Sequence, residues 1–219
     1  THIVMESGGT IDKYIGDALM AFWNAPIPED KKSHRIRAIE AAIEMFLQLE
    51  ELNIELIKEN KHQLKIGIGI NTGTVVVGNM GSDQRFDYTC LGDAVNLAAR
   101  LEGQTKTYGV GILIGHETKQ HIRDKFKFIE LDKIAVKGKK EGIFIHTVTS
   151  HKFNYIGHDL FLKYYKERKW VQARRAVTAL LKENTPLRDY YKMMLSRIEE
   201  LENNDPGEDW DHVFRAMSK

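Results

Sequence analysis

The sequence predicts an α+β fold over residues 1–150 and an all-helical extension over residues 151–219. Three observations carry this. Short strand-like runs alternate with amphipathic helical runs in the first part. Several neighbouring strand runs are joined by tight turns, as antiparallel pairs are. After His151 the strand signals stop and charge-rich helical patterns take over. An antiparallel-rich sheet with helices packed on it follows, and a β-α-α-β-α-β ferredoxin-like arrangement fits the order.

Met5 to Gly9 reads as the end of a helix, stopped by Gly8-Gly9. Thr10–Ile15 and Ala18–Trp23 read as two strands around Gly16-Asp17, a hairpin with a tight turn. "NAPIPED" (24–30) is a loop set by two prolines. His34 to Asn60 is a helix whose buried stripe is expected at Ile36, Ile39, Ile43, Phe46 and Leu47. "LKIGIGINTGTVVVGNMG" (64–81) reads as a strand pair turning at Asn71-Thr72-Gly73. "GDAVNLAARLEGQTKTYG" (92–109) is a second amphipathic helix, "VGILIG" (110–115) a buried strand and "HETKQHIRDKF" (116–126) a short helix. "FKFIEL", "KIAV" and "GIFIHTV" supply the remaining strands. In the tail, Trp170, Ala173, Val177 and Leu180 recur at helical spacing, like one helix–turn–helix unit of the tetratricopeptide type. One such unit cannot bury both of its faces, so it must dock on the main domain or on a partner. "NDPGEDWDHVF" (204–214) reads as a docking tail.

Composition narrows the function classes. Hydrophobic residues make up 42% of the chain, enough for a sizeable core. The formal charge is only +1, from 32 basic and 31 acidic residues, which gives no nucleic-acid footprint. Cys90 is the single cysteine, so no internal disulfide framework exists. The longest uncharged run, Ile66 to Ser82, carries five glycines and reads as strand and turn rather than a membrane span. The nine histidines show no zinc motif such as H-E-x-x-H, and the glycines near residue 70 lack a phosphate-loop fingerprint.

The candidate site residues are modest one by one. Asn96 and Arg100 lie four apart on a helix and share a face. For an arbitrary pair that means a solvated flank. The functional reading is phosphate handling, since a guanidinium matches phosphate oxygens and an amide can orient a sugar. Asp17 is a common hairpin-turn residue, or else a rigidly held carboxylate for a divalent cation. Lys13 is an exposed strand lysine or a ligand contact. Cys90 reads as a packed thiol in a strand.

Order and spacing say more. "GGTIDKYIGDALMAFWNAP", "LKIGIGINTGTVVVGNMGSDQRFDYTCLGDAVNLAARLE" and "IAVKGKKEGIFIHTV" together resemble the class III nucleotidyl cyclase catalytic domain over residues 1–148. The tail resembles the helical extension of some bacterial membrane-anchored adenylate cyclases. The resemblance implies conversion of a nucleoside triphosphate to its 3′,5′-cyclic monophosphate and pyrophosphate, with two divalent cations, Mg²⁺ or Mn²⁺. It implies that Asp17 is a metal-binding aspartate, that Lys13 and Thr89 read the base, that Asn96 orients the ribose, and that Arg100 stabilises phosphate charge in the transition state. Lys137 matches a lysine near the triphosphate, with Lys139 close by. Lysine can donate to adenine N1 and threonine can accept from the exocyclic amine, whereas guanine presents the opposite pattern. ATP is therefore the expected substrate, with a guanylate cyclase as the alternative. A cyclase-like regulatory domain that binds nucleotide without turnover is a further alternative. The family's sites form between two domains, so a homodimer is expected. A cytoplasmic location follows, with membrane contact only through an upstream segment.

One departure stands out. The family's first metal aspartate lies on a strand upstream of the "GGTIDKYIGD" hairpin. Only nine residues precede Thr10, whereas a strand and two helices need about 25 to 30. The chain as given, which begins with Thr1, is thus expected to lack that strand and ligand and to be inactive or nearly so.

Overall fold

A computed structural model describes residues 1–82, 85–135, 142–149, 153–183 and 185–215. The chain forms two compact units. The first comprises Thr1–Gly103 and Gly111–Phe126, and the second Gln104–Val110 and Lys127–Lys219.

The first unit opens with helix α1 (His2–Glu6) and the hairpin of β1 (Thr10–Ile15) and β2 (Ala18–Phe22). Gly16 turns the hairpin at φ 64°, a conformation that glycine adopts at little cost. The pairing is antiparallel, from Thr10↔Phe22 to Ile15↔Ala18, with a bulge between Ile11 and Lys13. Helix α2 (Ser33–Lys58) follows. Its buried face is Arg35, Ala38, Ile39, Ala41 and Ala42. This differs from the expected stripe: only Ile39 is fully buried, and Leu47 is 51% exposed. The reason is that only the first half of α2 lies against the unit. Its alanines allow close approach, while Leu52, Ile54 and Ile57 farther along are exposed.

Strand β3 (Ile68–Ile70) pairs in parallel with β6 (Ile112–Gly115), in the register Ile68↔Ile112 and Ile70↔Ile114. Strand β4 (Val76–Ser82) pairs antiparallel with β5 (Arg85–Leu91). The strand pair expected within residues 64–81 is therefore not formed. Asn71 does not turn the chain back; its Nδ2 donates to the Ala94 carbonyl at 3.1 Å and ties the segment to helix α3 (Asp93–Tyr108). The strand after it then takes a different partner. Helix α4 (His116–Lys119) is shorter than the run 116–126 expected from the sequence.

In the second unit, β7 (Phe128–Ile134) pairs antiparallel with β8 (Ile143–Val148). The runs "FKFIEL" and "KIAV" thus merge into one strand through Asp132. Helices α5 (Tyr155–Lys166), α6 (Trp170–Lys182) and α7 (Arg188–Asn203) follow. The α6 stripe of Trp170, Ala173, Val177 and Leu180 is buried. The tail is not all-helical, because β9 (Val213–Phe214) adds to β7 in parallel. Trp210 packs on Tyr165 and Trp170, with ring centroids 5.3 and 5.6 Å apart.

Polar groups pin α5 and α7 to β7. Tyr190 donates its hydroxyl to the Leu131 carbonyl at 2.7 Å. His158 Nε2 lies 2.7 Å from the Glu130 carbonyl and Nδ1 lies 2.8 Å from the Tyr191 hydroxyl. A carbonyl only accepts, so Nε2 carries the proton and Nδ1 accepts from Tyr191. Burial lowers the His158 pKa and keeps the ring neutral. Beneath them, the buried Asp132 accepts from Tyr108 Oη at 2.6 Å, from the Lys133 N–H at 2.8 Å and from Arg197. Burial, the largest single influence, would depress the Arg197 pKa; the Asp132 charge, the Tyr108 and Tyr165 hydroxyls and the hydrogen bond to Asp132 together outweigh it and raise it. The guanidinium also lies 3.7 Å from the centre of the Phe214 ring, tying β9 into the same cluster. Removing one partner leaves the other charge buried and unpaired. Arg197→Ala is expected to cost about 3–5 kcal/mol, read as a lower urea midpoint.

Candidate active site

The bulge in β1 decides what the site looks like. In a regular strand, successive side chains point to opposite faces, so Asp12 and Lys13 could not meet. The register jumps from Ile11↔Ala21 to Lys13↔Met20, leaving Asp12 as the extra residue. Its carboxylate turns inward, 0% exposed, with Lys13 Nζ 3.3 Å from Oδ1. Two further donors come from β5. Thr89 Oγ1 donates to the carboxylate, at 3.0 Å from Oδ1 and 2.7 Å from Oδ2, and the Cys90 N–H reaches Oδ2 at 3.0 Å. Lys13 and Thr89, paired in the sequence only by family resemblance, thus meet at a residue that sequence reasoning missed. The available signal was the adjacent Asp-Lys pair inside a strand, a pattern that a regular pleat does not explain.

Asp17 sits on the exposed hairpin turn, and no hydrogen bond or ion pair from another described residue engages it. Its position follows from Gly16, whose positive φ closes the turn one residue earlier.

Asn96 and Arg100 belong to α3. Leu97 and Leu101, each one position on, are buried, which places the Asn96 and Arg100 pair on the adjoining flank. Asn96 is exposed and Arg100 partly so, and neither side chain is engaged by another described residue. The height of α3 above the strands is fixed by Gly69 on β3. A Cβ there would lie 2.2 Å from the Ala98 carbonyl oxygen and 2.3 Å from the Glu102 nitrogen, so helix backbone rests directly on strand backbone. Ala98 lies between the two flank residues, which makes this contact the local support of the pair.

The structure therefore unites Lys13 and Thr89, keeps Asn96 and Arg100 side by side on one helix, and leaves Asp17 apart on its turn. No direct polar contact joins these three groups among the described residues. Lys137 and Lys139 lie outside the described residues. Cys90 is buried, and burial first and the Asp12 charge second push its thiol up to about 11.

A family model described as "Adenylate and Guanylate cyclase catalytic domain" matches residues 6–150. A Dictyostelium discoideum protein named "Adenylate cyclase, terminal-differentiation specific" is 40% identical over 148 residues, which is 66% of this chain and 7% of that protein. An Anabaena cylindrica adenylate cyclase is 40% identical over 146 residues, 65% of this chain and 28% of that one. The chain thus spans well under a third of the length of these relatives. Among solved structures, the adenylyl cyclase CyaB from P. aeruginosa superposes with a TM-score of 0.62 at 36% identity, covering 69% of this chain and 76% of the other.

Gly69→Ala is expected to lower stability by about 1–3 kcal/mol in urea unfolding, because strand and helix backbones must separate. The Cys90 thiol is expected to resist alkylation by iodoacetamide at pH 8 in the native protein and to react on unfolding, since it is both buried and protonated there.

Proposed function

The chain belongs to the adenylate and guanylate cyclase catalytic domain family, and from that premise we propose that it is the catalytic domain of an adenylate cyclase, converting ATP to 3′,5′-cyclic AMP and pyrophosphate in bacterial signal transduction. The observation that carries the choice of ATP is the meeting of Lys13 and Thr89 at one carboxylate. An ammonium is a donor only and suits adenine N1. A threonine hydroxyl whose proton is engaged elsewhere is an acceptor and suits the adenine amino group. Guanine would set donor against donor and acceptor against acceptor. A guanylate cyclase is therefore the less favoured reading.

The remaining residues take complementary roles. Asn96 orients the ribose so that its 3′-oxygen faces the α-phosphate, and Arg100 neutralises charge that builds on the phosphates. No hydrogen bond or ion pair from another described residue engages either side chain. Lys137 is assigned to the triphosphate. Among the described residues no group of three or more His, Cys, Asp or Glu gathers to hold a metal ion. Asp17 is a single carboxylate on the hairpin turn, unengaged by any other described residue, which fits an ion bound by one or two carboxylates together with substrate phosphates. It is the residue of this chain that would hold the two divalent cations, Mg²⁺ or Mn²⁺, whose contribution when bound is to offset the charge of the triphosphate.

Two features support a homodimer. The base-reading pair makes no polar contact with Asp17 or the α3 pair within one chain, as expected if a site draws on two copies. The β4–β5 hairpin leaves Val76, Phe86 and Leu91 exposed, an apolar surface suited to a second copy. No helix among the described residues is long and apolar enough to cross a membrane. We place the domain in the cytoplasm, where its substrate is made.

The test is to incubate the protein, in its full natural length, with Mn²⁺ and either ATP or GTP, and to quantify both cyclic nucleotides. Cyclic AMP that falls at least a hundredfold in Asp17→Ala is the expected result. Cyclic GMP instead would overturn the assignment of the base. No product from a folded dimer would leave a regulator that binds nucleotide without turnover.

A further inference from the structure

A threonine hydroxyl is a poor discriminator by itself. It has one proton to donate and lone pairs to accept with, and it rotates to suit its partner. Left free, Thr89 could accept from the amino group of adenine or donate to the carbonyl oxygen of guanine. What removes that freedom is Asp12. Both of its oxygens are met by groups that can only donate, the Lys13 ammonium at Oδ1 and the Cys90 N–H at Oδ2. With a donor at each oxygen, the carboxylate is held as an acceptor toward its neighbours. Thr89 Oγ1, 2.7 Å from Oδ2 and 3.0 Å from Oδ1, must then point its single proton at Asp12.

We propose that Asp12 is a specificity-determining positioning residue, which fixes the hydrogen-bond polarity of Thr89 so that toward a base this hydroxyl can only accept. Asp12 itself touches no nucleotide; its side chain is fully buried. It acts through Thr89 and also keeps the half-exposed Lys13 beside it. The selectivity for an amino-bearing purine edge therefore resides in a residue one layer below the one that reads it. This rests on the base-reading role proposed above for Lys13 and Thr89.

The chemistry predicts what an isosteric change would do. In Asp12→Asn, with the amide oxygen kept at the Cys90 N–H, the amide nitrogen takes the place of Oδ1, donates to Thr89 and no longer accepts from Lys13. The hydroxyl proton is then released toward the ligand, where it suits a guanine carbonyl. In Asp12→Asn/Thr89→Asp the amide donates to a carboxylate, which is an acceptor without any help.

The experiment measures equilibrium binding of 3′-deoxy-ATP and 3′-deoxy-GTP, which lack the attacking oxygen, to the full-length protein and to both variants, with folding checked by circular dichroism. The native protein is expected to prefer the adenine nucleotide. Asp12→Asn is expected to cut that preference by about tenfold to a hundredfold, and the double variant to restore most of it. A native protein that binds both nucleotides equally overturns the base-reading assignment and this inference with it. A native preference that survives Asp12→Asn unchanged overturns the role of Asp12 alone. Should the single variant not fold, the double variant decides: a folded double variant without adenine preference overturns the proposal.

Discussion

The buried carboxylate of Asp12 is the constraint on which the candidate site depends. Among the described residues the hairpins β1–β2 and β4–β5 are separate two-stranded sheets, with no backbone ladder between them. The Asp12 carboxylate bridges them, taking an ammonium from its own strand and a hydroxyl and an N–H from the other. A desolvated carboxylate is costly unless its donors are in place. The arrangement is therefore favourable only when β1 and β5 stand at hydrogen-bonding distance, and Lys13 and Thr89 are carried to one place as a result.

The second unit uses a related device. Strand β7 also bulges, between Glu130 and Asp132, and also presents a buried aspartate to several donors. There the donors come from a helix, a tyrosine and the strand backbone, and the result is mechanical: β7, α7 and the terminal strand share one charged node. In both places a local irregularity of the pleat turns a carboxylate inward, where its donors make it a fixed point.

How much of this could be read from the sequence depended on how local the cause was. The β1–β2 hairpin is legible almost to the residue, because Gly16-Asp17 writes the turn and strand residues flank it. The α6 stripe is legible because its period and its burial coincide. The α2 stripe is not, since helical spacing marks a face but not how far along that face a neighbour extends. The partner of β3 is illegible for a different reason. Its parallel mate β6 lies beyond a hairpin and a helix, and nothing near Ile68 names Ile112. At the site, family resemblance marked Lys13, Asp17, Thr89, Asn96 and Arg100 but passed over Asp12, whose significance lies in a bulge that no residue type announces.

Gly69 has an evolutionary consequence. Contact between backbones holds α3 on β3, and that contact owes nothing to the identity of the side chains proposed to meet the base. The residues proposed to read the base hang from two hairpins joined at Asp12, while Asn96 and Arg100 stand on a helix seated elsewhere, with no polar bond between the two sets among the described residues. If the proposed roles hold, a lineage with this architecture can exchange one purine for another by drift at a few hairpin positions, without re-seating the helix that carries Asn96 and Arg100. Divergence of substrate within one unchanged scaffold is the outcome that such a division of supports makes easy.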